Sequence, residues 1–177
     1  ALDYAQFTDE LELYDLFKTA KTRLEKRFII SRFRAVADGL PLWMHDALLD
    51  RDHLVRRQAL WALDTIPREY REDVESMLSD ASYVNIALAL DALCEAFPDD
   101  KQGFIDQVGT VDNSTVKIYG LKRLIEEDNK AVEELADMCS PAFEFRTRIS
   151  ALSAFESLDK LPESVVFHAM DAAVHFN

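Results

Sequence analysis

The chain has 177 residues, 49% of them hydrophobic, with only four glycines and five prolines. That composition favours one helical domain with a substantial core and excludes disorder or a turn-rich β architecture. Twenty basic against 33 acidic residues give a net charge of −13, which repels a phosphate backbone, so nucleic acid is not an expected partner and a helical-repeat nucleic-acid enzyme is disfavoured.

Residues 18–34 break this balance. Lys18, Lys21, Arg23, Lys26, Arg27, Arg32 and Arg34 face only Glu25 there, about +6 locally, which leaves about −19 for the rest of the chain. The segment reads either as a docking patch for an acidic partner or linked module, or as the solvated face of a first helix pair.

From there a period governs the sequence. Ile30, Leu60, Leu90, Leu121 and Leu152 fall at steps of 30, 30, 31 and 31 residues. Three residues on, the column reads Phe33, Leu63, Leu93, Leu124 and Phe155. One residue before the anchor stand Ile29, Ala59, Ala89, Gly120 and Ala151, and small side chains there let a neighbouring helix approach closely. A repeat of this length signals stacked supersecondary units.

In chain order, amphipathic spacing predicts shorter helices over 42–49, 70–78, 104–108, 131–138 and 165–176. They alternate with longer ones over 55–66, 84–97, 116–126 and 145–158. Pro41, Pro67, Pro98, Pro141 and Pro162 fall between these stretches, and Asp52, Ser82, Asn113 and Ser114 are expected N-caps. The predicted fold is all-α, an α-solenoid of about five short helix pairs in a single domain over 1–177.

The stretch from Asp52 through Val55, Arg56, Ala59 and Leu60 to Leu63 resembles the second helix of a HEAT repeat. Lys117 and Arg148 share the Arg56 column, whereas Ile86 breaks it, and the period is shorter than is common in HEAT arrays. The three cations are expected either on the concave face or in inter-repeat contacts, with inter-repeat pairing favoured.

A second resemblance attaches to the run from Ala142 through Phe145, Arg146 and Arg148 to Leu152, with Leu161 and the closing run from Ala172 to Asn177. It is similar to the helical C-terminal region of aminopeptidase N-like zinc metallopeptidases, and the likeness extends over 56–64 and 113–121. The resemblance implies a parent enzyme that holds zinc through His-Glu-x-x-His and a downstream Glu and removes N-terminal residues from peptides. The expected role of this chain is then that of a non-catalytic accessory domain, packed on a covalently linked catalytic module and helping to enclose its peptide cavity. The alternative is a free-standing HEAT-like scaffold for another protein.

No residue is expected to be catalytic or to bind a metal, and no cofactor is expected within the chain; zinc belongs to the implied parent. His45, His53, His168 and His175 form no His-Glu-x-x-His. His168, Asp171 and His175 share a helical face but read as a surface stripe, since zinc needs further ligands. Cys94 and Cys139 lack ligand spacing and read as free, buried thiols. Trp61 and the run from Leu40 to Met44 place aromatics near helix junctions, where they fill the core.

The last predicted helix is apolar on nearly every side, so a continuation of the chain or a partner is expected to cover it. No apolar run approaches the roughly 20 residues of a membrane span, and no signal peptide opens the chain. It begins at Ala1 rather than Met and is expected to be a fragment of a longer protein, with cytoplasm and periplasm both open.

Overall fold

The computed structural model describes residues 10–33, 43–157 and 162–174. Among them the chain is all-helical, with eleven α-helices and no strand. These are α1 (Glu10–Thr19), α2 (Arg23–Phe33), α3 (Met44–Leu48), α4 (His53–Ala62), α5 (Arg71–Ser76) and α6 (Tyr83–Ala96). They continue as α7 (Lys101–Val108), α8 (Ser114–Lys122), α9 (Asn129–Asp137), α10 (Phe145–Ala154) and α11 (Glu163–Val174).

Helix α2 starts at a capping box. The Glu25 carboxylate accepts the backbone N–H groups of Lys21 and Thr22, at 2.9 and 3.0 Å, while Thr22 Oγ1 accepts the Glu25 N–H. Asp52 caps α4 through the Leu54 N–H, Asn113 caps α8 through Thr115 and Val116, and Asp128 caps α9 through Lys130. Ser82 stands at the N-cap position of α6 but makes no cap bond, and its hydroxyl accepts from Arg57 instead. Ser114 is the first helical residue of α8.

Several predicted helices are longer than the observed ones. Leu63 turns extended, with φ −85° and ψ 113°, and ends α4 before the predicted Ile66. After Lys122, tightened i→i+3 bonds from Arg123 to Gly120 and from Leu124 to Leu121 carry the chain out of α8. Residues 70–78 are a short α5 flanked by the 3₁₀ turns Arg68–Tyr70 and Met77–Ser79.

The even-numbered helices pack in succession, α2 on α4, α4 on α6, α6 on α8 and α8 on α10. Beside them α1 packs on α2, α3 on α4, α5 and α7 on α6, α9 on α8 and α10, and α11 on α10. The sequence columns explain this order. Ile29, Ala59, Ala89, Gly120 and Ala151 are all buried, as are Ile30, Leu60, Leu90 and Leu121. The buried apolar side chains form two clusters that meet inside α8, Val116 closing the first and Ile118 opening the second.

Trp43 is fully buried, with Phe17 stacked at 5.0 Å between ring centroids, whereas Trp61 stays half exposed on α4 and fills no core. Leu40, Pro41 and Leu42 lie outside the described residues.

Candidate functional site

Among the described residues the three second-helix cations all meet acidic side chains. Arg56 binds Asp80 through two parallel bonds, Nε to Oδ2 at 2.6 Å and Nη2 to Oδ1 at 2.7 Å, and its Nη1 donates to the Asp50 carbonyl at 2.6 Å. Arg148, itself buried, donates to the Cys139 carbonyl at 3.1 Å and to Asp171 at 2.7 Å. Lys117 reaches Glu134 at 2.6 Å, with both side chains about half exposed.

Sequence reading left Lys26 out of this column, although it stands 30 residues before Arg56. Lys26 pairs with Asp50, 24 residues on, as Arg56 pairs with Asp80, also 24 residues on, and Arg148 with Asp171, 23 residues on. The acids at that offset were the legible signal. At Ile86 the cation is missing, and the residue 24 positions on is Thr110, so neither half of the pair is present.

Loop residues 109–112 form one wall of a cleft of about 450 Å³ between α7, α8 and α9. Ile105, Val108, Val111, Leu121 and Leu124 line it, with the Lys117–Glu134 pair alongside. No histidine, cysteine or serine lines it. Asp112, Lys117 and Glu134 stand among these apolar side chains.

Asn85 is fully buried and fully used. Its Oδ1 accepts from Arg57 Nε at 2.9 Å, and its Nδ2 donates to the His53 carbonyl at 2.9 Å and to Asp80 at 3.0 Å. Burial pushes the Asp80 carboxyl up, but bonds from Arg56, Asn85 and the Ser82 N–H more than offset it and hold it below the ordinary carboxylate range. Arg56 is held charged by the Asp80 bonds in spite of its partial burial.

The basic segment divides. Lys18 pairs with Asp15 at 2.9 Å, and Lys26 is bound to Asp50 and lies over the Phe17 ring. Lys21 and Arg23 are exposed, Arg32 lies over the Phe28 ring at 5.8 Å, and Arg27 Nε is buried with no hydrogen-bond partner among the described residues. Arg34 lies outside the described residues.

Of the predicted histidine stripe, Asp171 is bound to Arg148, His168 is half-buried, and His175 lies outside the described residues. His45 pairs with Asp73 and packs on the Tyr70 ring at 4.5 Å. No group of three or more metal-ligating side chains occurs among the described residues, and none of their helices is long and apolar enough to cross a membrane. Cys94 and Cys139 are free and buried, and burial pushes the Cys139 thiol up to about 11 against the pull of Arg148. At the other end of the chain from α2, Val166, Phe167, Met170 and Val174 of α11 are exposed, with Phe145 and Ile149 of α10.

No protein-family model matches the chain, and neither does any curated protein or solved structure.

Proposed function

We propose that the chain is a non-catalytic, HEAT-like α-solenoid that serves as the accessory domain of a zinc aminopeptidase, packing on the catalytic module and helping to enclose its peptide cavity. The observation that carries the docking role is the apolar surface of α11. Phe167 and Met170 are each 62% exposed and Val174 72%, and a cluster of large apolar side chains in water marks a surface that another protein covers. The succession of even-numbered helices supports the solenoid reading, since each unit buries its face only against its neighbours. The aminopeptidase assignment rests on the resemblance over 142–152 and at the closing run. In this reading zinc and its ligands belong to the partner module, and residues 1–177 act by shape and docking.

The test is the complete gene product, assayed for bound zinc and for cleavage of aminoacyl-arylamide substrates. Zinc-dependent cleavage by a chain in which these residues follow a His-Glu-x-x-His supports the proposal; a product with neither zinc nor cleavage sinks it.

A second reading, a free-standing scaffold for another protein, draws on the apolar cleft between α7 and α9. A short independent gene whose product binds a protein through that cleft, and loses binding on Val111→Glu, would favour it.

A further inference from the structure

Helix α2 has two unlike halves. At about 100° per residue, Lys26, Ile29 and Ile30 fall on one half, where both isoleucines are buried and Lys26 is bound to Asp50. Arg23, Leu24, Arg27, Phe28, Ser31 and Arg32 fall on the other, within an arc of about 180°. Leu24 is 68% exposed and Phe28 43%. Glu25 stands at the edge of this half, its carboxylate turned to the backbone of Lys21 and Thr22.

Among the described residues none of Arg23, Arg27 and Arg32 forms an ion pair, in a chain with 13 more acids than bases. Lys18 and Lys26 of the same segment contrast with them, Lys18 being neutralised by Asp15 and Lys26 by Asp50, whereas exposed Lys21 adds a further cation beside the face. A merely solvated face does not account for Leu24 and Phe28 lying between the arginines. Guanidinium groups around an apolar centre are suited to a protein surface of the opposite charge, with the apolar side chains excluding water from the charge pairs.

The geometry points to this half of α2 as the docking face for an acidic protein surface with an apolar centre, carried by the module beside which the accessory domain sits. The inference rests on the accessory-domain reading and adds to the α11 surface a second docking face, at the other end of the chain, with the chemistry that this face requires.

Zero-length carbodiimide cross-linking of the complete gene product carrying Arg23→Lys tests it. The expected result is a link from position 23 to an Asp or Glu outside these 177 residues, with a yield that falls at least about fivefold when Leu24→Glu is added. Leu24 is exposed, so the fold survives that change, as circular dichroism verifies. Links confined to acids within the 177 residues, or joining two copies of the chain, overturn the proposal. So does co-sedimentation with phosphatidylserine vesicles that Leu24→Glu abolishes. Zinc content and aminoacyl-arylamide cleavage report separately on the accessory reading. A zinc enzyme without the link loses only the face, whereas a zinc-free product linked from position 23 to a separate acidic protein keeps the face and loses the aminopeptidase.

Discussion

Arg56 and Asp80, 24 residues apart, close on each other through two parallel hydrogen bonds, with the Asp80 side chain only 1% exposed. The same carboxylate accepts the Ser82 N–H and Asn85 Nδ2. One acid thus fixes the start of α6 against the start of α4, and the register of two neighbouring units depends on it.

Removing that acid strands a partly buried guanidinium. Asp80→Ala is expected to cost about 3 kcal/mol in urea unfolding. Lys117→Ala, which breaks a half-exposed pair with Glu134, is expected to cost less than about 1 kcal/mol. Equal losses from the two variants would show that burial does not set the strength of these pairs.

The pH dependence follows from Asp80 being held below the ordinary carboxylate range when folded. The unfolded chain then takes up a proton first as the pH falls. The stabilisation is full above the unfolded-state value, about 4, and is lost as the pH drops through the lower folded-state value. Glu25 contributes in the same direction, because the Thr22 and Lys21 N–H groups hold its carboxylate low. Asp80→Asn should flatten the acid limb of a stability-against-pH curve measured between pH 2 and 6. An unchanged limb would assign acid sensitivity to other carboxylates.

Cys139, fully buried and with its thiol at about 11, carries roughly one thiolate in a thousand at pH 8. Cys94 is likewise pushed up by burial. Neither should react with a disulfide reagent at that pH until the chain unfolds, whereupon both should titrate. A rapid stoichiometric reaction in the native protein would place a thiol at the surface.

Two glycines offer stabilising changes. A Cβ at Gly103 meets nothing within 4 Å, and one at Gly120 meets only Leu90 Cδ2 at 3.8 Å and Ile105 Cγ2 at 4.0 Å, an ordinary contact. Each Gly→Ala change should raise stability by about 0.5–1 kcal/mol, because helical glycine is entropically unfavourable. Gly120→Leu should instead cost about 1–3 kcal/mol by forcing α6 and α8 apart. Thermal melting of the three variants distinguishes fit from flexibility.

What the sequence made legible was what repeats. The small column and the first four anchors are buried, Leu152 only partly, because a 30-residue period returns each unit to a similar packing environment. The Asp52 and Asn113 caps were equally plain, since each precedes an apolar helical run. Asp128 and the Thr22–Glu25 box were missed: the first helix pair had not been delimited, and Asp128 lies in a run of acids where no single cap stands out. The cleft was missed for a different reason. It is lined between Ile105 and Glu134 by parts of three helices and a loop, so no single periodic stretch announces it. The halves of α2 were hidden too, because the same seven cations read as one patch until Lys18 and Lys26 are seen bound to their own acids.

No described side-chain hydrogen bond spans more than 32 residues of chain. During synthesis, each helix therefore meets its partners as soon as the next unit has left the ribosome, with no need to wait for a distant terminus. Folding of this kind advances from the first helices to the last, with short loops to close and rapid local steps. A lesion in α10 is therefore expected to disturb first the helices that it packs on, α8, α9 and α11.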